Sequence, residues 1–424
     1  MFKKSLVAVA LVGAVGMAQA ADVQVYGAMD AGFTHERIKF SGNFMEFGES
    51  VKEHSTKLAS GKHTANRFGI KGTEAIDQNL KAGFVLEGGF DLLNGDMASK
   101  GKLFNRQADL FFEGDFGHLA FGRVGSLVSA NGTYGVFGDI ADNFGGGWGE
   151  NTGAFKHAFS VNGRLDNAVT YVSPEIAGAK LFAQYSFAIE GKQEDKRKSN
   201  ERYAAIGASY QLDKLALVTV FDKTFYKDGI IVYDDGANKK PRVSPDAWTL
   251  NFGGSYDFDV TKVFAAYQHA EHTKGLAGFT AKNLFEGAKD MAEETPYFNL
   301  ERLEMTVDQA KGIKGNSFLI GADTPVLGGT LKLQAGYAKS KFNQAYSGSH
   351  FKGFQVKTTN WSLAAGYEYN LSKRTQVYGG AAYDRTKIKA GFDSFTMGSV
   401  DVKNISGQFK THNYEFMMGL VHKF

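Results

Sequence analysis

Long runs of period-two alternation constrain this chain more than any other feature. In WTLNFGGSYDF, Trp248, Leu250, Phe252, Gly254, Tyr256 and Phe258 fall on one face of an extended strand, and Thr249, Asn251, Gly253, Ser255 and Asp257 on the other. NWSLAAGYEY repeats the pattern from Asn360, as do KAGFVLEGGF, YAAIGASYQL, LKLQAGYA and the closing HNYEFMMGLVHKF. Strands of a soluble sandwich are commonly about five or six residues long. Many of these runs last about ten, the length a tilted strand needs to cross a bilayer. Aromatics sit at the run ends, as at Trp248 and Phe258 or Trp361 and Tyr369, where the interfacial girdles of a lipid-facing wall belong.

The connections alternate between short and long. Short ones fall at 76–79, 114–117, 173–178, 212–214, 257–261, 324–330 and 370–374; long ones run over 35–62, 92–102, 127–163, 190–201, 227–245, 272–315, 341–357 and 386–409. Seven short turns and eight long loops join sixteen strands, an even count with tight periplasmic turns at one end and large extracellular loops at the other. Pro174 and Pro325 lie in short turns and Pro241, Pro245 and Pro296 in long loops, so none interrupts a strand. An open sheet edge in hydrocarbon would strand backbone polar groups, which makes closure obligatory. The expected fold is an all-β, 16-stranded antiparallel transmembrane β-barrel. Its last strand pairs with the first, DVQVYGAMDAGF, and places Phe424, which shares a face with His422, Leu420, Met418, Phe416 and Tyr414, in the periplasmic aromatic girdle.

Residues 1–20, MFKKSLVAVALVGAVGMAQA, show Lys3 and Lys4, a short apolar run and an A-x-A exit, the form of a secretory signal peptide. Residues 21–424 then form one barrel domain, exported through the periplasm to the outer membrane. With no Cys in the chain, disulfides, thiolate nucleophiles and cysteine metal ligands are excluded. Lys and Arg number 48 against 45 Asp and Glu, and without Lys3 and Lys4 the balance is 46 against 45. Such a balance argues against a nucleic-acid partner, which demands a basic excess. The 52 glycines, together with 13% aromatics, fit a strand-dominated chain.

Catalytic and metal motifs are weak. There is no G-x-S-x-G for a barrel hydrolase, and GGGWGENTG lacks the Lys and Ser/Thr of a phosphate loop. His269 and His272 in HAEH would point to opposite faces of a strand, which disfavours a metal pair. No cofactor is expected. Twenty-two strands and a plug, as in larger transporters, do not fit in this length.

The chain resembles the Gram-negative trimeric general porins across its whole mature length. The resemblance rests on the order and spacing of VQVYGAMDAGF, NRFGIKGTEAI, LKAGFVLEGGF, FNRQADLFFEGDFGHLAFGRVGS, RLDNAVTYVSP and GLVHKF. It implies a water-filled channel for ions and small hydrophilic solutes, a homotrimer, and a terminal Phe424 read by the barrel-assembly machinery. It also implies a third long loop folded into the lumen, here Ser129 to Gly163 with Asp139, Asp142 and Glu150, facing a basic row formed by Arg67, Lys71, Arg106 and Arg123. Alternation turns Arg67 and Lys71 inward, since Phe68 and Ile70 suit lipid. By hydropathy alone Arg106 and Arg123 point outward, and only the resemblance turns them inward. A solute-specific channel is the rival reading, with Tyr134, Phe137, Phe144, Trp148 and Phe155 of the third loop as a binding track or as anchors to the wall.

Overall fold

Alternation becomes a closed cylinder because each strand satisfies its backbone on both sides. The computed structural model describes residues 22–44, 47–149, 152–227, 245–280, 310–344, 351–352, 354–397 and 400–424. Its staves are β1 (Asp22–Phe44), β2 in two segments (Phe47–Ser60 and Arg67–Ala75), β3 (Leu80–Gly89), β4 (Gln107–Gly114), β5 (Gly117–Gly125), β6 (Arg164–Val172), β7 (Ala179–Ser186) and β8 (Arg202–Leu212). They continue as β9 (Leu215–Phe225), β10 (Ala247–Asp257), β11 (Lys262–Thr273), β12 (Ala310–Val326), β13 (Gly329–Gln344), β14 (Phe354–Asn370), β15 (Thr375–Met397) and β16 (Val400–Lys423). Each pairs antiparallel with its sequence neighbours, and β1 closes the ring on β16 from Ala28↔Lys423 to Phe44↔Gly407. The expected sixteen-stave barrel is what forms.

The barrel is inverted relative to a soluble protein. Val25, Leu363, Phe416 and Met418 stand exposed on the outer wall, whereas Asn251, Gln268, Ser317, Asn360 and Glu415 are fully buried on the inner one. Phe424 lies on the outer face at the turn end. Its amide donates to the Gly27 carbonyl (3.1 Å), and the Gly27 amide donates back (3.0 Å).

Three expected loops prove to be largely strand. The pattern of the sequence gives residues 35–62, 341–357 and 386–409 to connections, yet β1 and β2 pair out to Phe44↔Phe47, β13 and β14 to Gln344↔Phe354, and β15 and β16 to Met397↔Val400. Above the membrane neither face meets lipid, so the apolar alternation disappears while the hydrogen-bond ladder continues. Residues 281–309 of the long sixth loop lie outside the described residues. The break in β2 was not expected either: residues 61–66 leave the wall between its two segments.

Candidate functional site: a narrowed lumen

The third loop, residues 126–163, enters the barrel between β5 and β6. It carries two short helices, α1 (Val136–Ala141) and α2 (Ala154–Ala158). The first packs on β9, β10 and β11, the second on β12, β13 and β14. Phe137 and Ala141 face the wall, Gly138 backs onto Ala130 of the loop itself, and Asp139 stays on the open side of α1. Tyr134, Phe137, Phe144, Trp148 and Phe155 are all buried, so these aromatics anchor the loop and none lines a solute track.

Two features of the wall receive the loop. A line of inward glycines on β10, β12, β13, β14 and β15 opens a shallow trough; a Cβ at Gly366 would lie 2.6 Å from the Trp148 ring, and one at Gly336 would meet Ala154. Inward amides and carboxylates then pin the loop. The Ser160 amide donates to Gln268 Oε1 (2.7 Å), and Gln268 Nε2 donates back to the Ser160 carbonyl (2.9 Å). Gln334 Nε2 donates to Asp142 Oδ1 (2.6 Å), and Asn143 Nδ2 donates to Asp323 Oδ1 (2.8 Å). Thr152 donates to Glu415 Oε2 (3.3 Å). The inward excursion of β2 holds the middle of the loop: the Trp148 amide donates to the His63 carbonyl (3.3 Å) and the Gly149 amide to the Lys62 carbonyl (2.6 Å). The excursion is itself tied down, since Asp30 Oδ2 accepts from the His63 and Thr64 amides (both 2.7 Å). Buried polar side chains of the covered half-barrel thereby find partners in loop backbone.

The uncovered wall is basic. Glu87, inward on β3, pairs with Arg106 Nε (2.6 Å) and Arg67 Nε (3.6 Å) and accepts from the Tyr26 hydroxyl (3.1 Å). Arg123 Nε donates to the Asn105 carbonyl (2.8 Å), and its Nη1 bonds Asp166, which also takes Lys102 Nζ (2.6 Å). Lys71 is exposed and stands over the Tyr26 ring, 5.5 Å from its centroid. Arg164 Nε donates to the Arg106 carbonyl (2.8 Å) and lies within electrostatic reach of Arg67, Arg106 and Arg123.

Local irregularity explains the two arginines that alternation sends outward. Arg106 lies one residue before β4 begins, outside its pleat. The pairing of β5 with β6 slips between Gly122 and Val124, with Gly122 at φ +145° and Asn167 at φ +50°, so the alternation breaks at Arg123. Sequence reading missed Arg164, although it opens a strand run, and missed Lys62 and His63, whose only signal is the glycine break at Gly61.

The acids of the third loop divide. Counted around the ring, β2 and β3 stand eight staves from β10 and β11, so α1 and the arginine wall face each other. Asp139 points into that gap and forms no ion pair among the described residues. Asp142, expected beside it, instead turns into the wall, 5% exposed, with its carboxylate held by Gln334 and the Phe144 amide (3.1 Å). It follows α1 directly with an extended backbone (φ −126°, ψ 121°), and Gln334 of β13 draws its carboxylate to the wall. Glu150 lies outside the described residues.

Protein around the loop costs the ionised Asp139 part of its solvation and pushes its carboxyl up to about 6. Its negative charge is therefore present at neutral pH and lost as the pH falls through that value. Between pH 7 and pH 5 the zero-current potential of a reconstituted channel is expected to move toward anions, and Asp139→Asn removes the part of that movement with a midpoint near 6. An unchanged titration in Asp139→Asn would assign the movement to other groups.

A closed β-barrel with a lipid-facing exterior and a charged lumen narrowed by an internal loop is an outer-membrane diffusion channel. A family model described as Gram-negative porin matches residues 5–389, and the chain belongs to that family. An outer membrane porin protein of Bordetella pertussis is 31% identical over 402 residues, covering 90% of this chain and 94% of the relative. Outer membrane porin protein 32 of Delftia acidovorans is 26% identical, covering 93% and 92%. Among solved structures, the anion-selective porin from Comamonas acidovorans superposes with a TM-score of 0.58 at 21% identity, covering 96% of this chain and all of that one. The protein is an outer-membrane porin through which small solutes diffuse passively.

Proposed function

We propose that this porin is a general, anion-preferring diffusion pore whose constriction is set by Arg67, Lys71, Arg106, Arg123 and Arg164 on the wall and by Asp139 on the third loop. The observation that carries this reading is the charge ledger of the wall. Arg67, Lys71, Lys102, Arg106, Arg123 and Arg164 share two carboxylates, Glu87 and Asp166, which leaves 6 − 2 = +4 on one side of the gap. Low-dielectric walls focus such a field, and outer-loop charges beyond a Debye length of about 8 Å contribute little at physiological salt. The test is a planar bilayer: ohmic steps, a zero-current potential on the anion side, and solute flux that falls with size without saturating. Saturable uptake of one solute class at low concentration would favour the solute-specific channel instead.

Homotrimeric assembly, removal of residues 1–20 and recognition of the C-terminal strand by the barrel-assembly machinery belong to the same proposal. Stable steps occurring in threes support the trimer, and a monomeric mass in mild detergent counts against it. Phe424→Ala is expected to lower the yield of folded outer-membrane barrel and enlarge the unfolded periplasmic pool, with unit conductance unchanged in what does fold. Fractionation with heat-dependent gel mobility reads both pools. Unaltered assembly would leave Phe424 as girdle packing alone.

A further inference from the structure

After β11 the sixth loop begins by turning back into the lumen. Gly275–Leu276 pair with Phe279–Thr280, and the turn between them puts Ala277 (φ +59°) and Gly278 (φ +68°) in the left-handed region. This small hairpin lies on the third loop: the Gly278 amide donates to the His157 carbonyl (2.6 Å) and the Ala277 amide to the Ala158 carbonyl (3.4 Å). Its tip reaches the inner face of β15, where a Cβ on Gly278 would stand 2.9 Å from Thr386 Oγ1.

Between the hairpin, residues 157–162 of the third loop and the inner face of β9 and β10 the chain leaves a chamber of about 270 Å³. Lys274 stands at its rim, with Nζ bonded to both oxygens of Glu201 (2.8 and 2.7 Å) and 5.0 Å from the Tyr226 ring centroid. Rim and partner cancel in charge. Deeper in, Asp222 is buried, with Oδ1 taken by the Thr249 hydroxyl. Asn162 Nδ2 donates to Thr224 Oγ1 (3.0 Å), and Phe159, Val161 and Leu276 make up an apolar side. His157 also lines the chamber, and its Nε2 is buried with no hydrogen-bond partner among the described residues.

A hairpin that only braced the third loop would need the two backbone bonds and a packed space behind them. Protein interiors are close-packed, and their buried polar atoms are ordinarily partnered. Here there is room and an orphan imidazole nitrogen. The lining also narrows the chemistry of the occupant. A solute anion is repelled by Asp222, a simple cation meets Lys274 at the rim, and an apolar molecule would leave the carboxylate and amide desolvated without partners. A neutral ring with hydroxyls around its edge and C–H groups on its face satisfies both sides of the chamber.

We propose that this chamber binds a single neutral monosaccharide, with hydroxyls on Asp222, Asn162 and His157 and one ring face on Phe159 and Val161. Its volume lies just under the roughly 300–1,000 Å³ of drug-sized pockets, which limits the occupant to one sugar ring. The arginine wall is across the lumen, so the sugar rests beside the charged gap and not in it. A lone ring with few bonds is held weakly, and flux at low concentration stays unsaturated.

The test uses the full barrel in neutral detergent, with D-glucose as probe and ethylammonium, acetate and triethylene glycol as comparisons, read by saturation-transfer NMR titration. D-glucose is expected to bind and the comparisons not. Ser160→Leu, which fills the chamber and leaves the backbone bonds of residue 160 to Gln268 in place, is expected to abolish the signal. Asp222→Asn is expected to weaken binding about tenfold, the worth of one hydrogen bond to a charged group. Heat-dependent gel mobility checks the fold of each variant, and should Ser160→Leu not fold, Thr224→Leu fills the same chamber from the wall. Equal glucose binding by the filled variant or by Asp222→Asn overturns the proposal. An absence of glucose binding by the parent does so too, and leaves the chamber to water. Ethylammonium bound more tightly than glucose assigns a cation site and overturns it as well. Because the sugar is read directly, the result is independent of whether the pore prefers anions.

Discussion

Trp148→Ala opens the channel. The indole is 2% exposed, with its ring centroid 4.5 Å from His63, 5.3 Å from Phe144 and 5.9 Å from Tyr378, and it lies in the hollow over Gly366. Truncating a buried aromatic of this size costs about 3–5 kcal/mol. Here that cost falls on the docking of the third loop and not on the staves, whose ladder hydrogen bonds do not involve the side chain. Every 1.4 kcal/mol or so is a factor of ten in the docked-to-free ratio, so the middle of the loop leaves the wall for much of the time. Single-channel current and the size of the largest permeant solute are expected to rise, with heat-dependent gel mobility unchanged. Gly366→Val is expected to give the same phenotype from the other side of the contact. Wild-type current in both variants would mean that the polar pins at Gln268 and Gln334 hold the loop unaided and that the trough is incidental.

Selectivity offers the second large effect. With Arg67, Arg106, Arg123 and Arg164 replaced by glutamine, the wall retains Lys71 and Lys102 against Glu87 and Asp166, so its balance falls from +4 to 2 − 2 = 0. Asp139 on the facing loop then tips the gap toward cations, and the zero-current potential in a salt gradient is expected to change sign. The change is largest in dilute salt, because the Debye length is about 30 Å at 0.01 M and about 3 Å at 1 M. Adding Asp139→Asn to this variant is expected to return the pore close to neutrality. If the fourfold variant keeps its anion preference, the selective charges lie elsewhere, in the outer loops or in the excursion at Lys62.

What could be read from the residues followed from where lipid touches the chain. Along the membrane, alternation is enforced by solvent on two sides, which is why Trp248 to Phe258 and Asn360 to Tyr369 announce both strand and orientation. Beyond the membrane that enforcement ends, and the hairpins around Lys39 and Lys410 pass for loops. Inside the barrel the difficulty is different. Arg106 and Arg123 sit where the pleat is interrupted, and an interruption of one residue reverses a side chain without leaving a strong mark. The inward glycines at Gly336 and Gly366 were visible as composition, but their meaning depends on what lies across the lumen from them. The same holds for Asp142, whose wallward turn is decided by Gln334, a residue 192 positions away.

The third loop also carries a consequence for the order of events in biogenesis. Every partner that pins it through Gln268, Ser317, Gln334 and Glu415 belongs to a strand made after the loop itself, and Glu415 lies within ten residues of the end. Closure of the ring likewise waits for β16 to reach β1, across almost the whole chain. Long-range pairings of this kind form late, since loop closure must precede the contacts that reward it. The loop therefore cannot be seated while the wall it rests on is still being added. The last of those pins, Glu415, comes with the strand that closes the ring, so the loop is held at all of its contacts only in the closed cylinder.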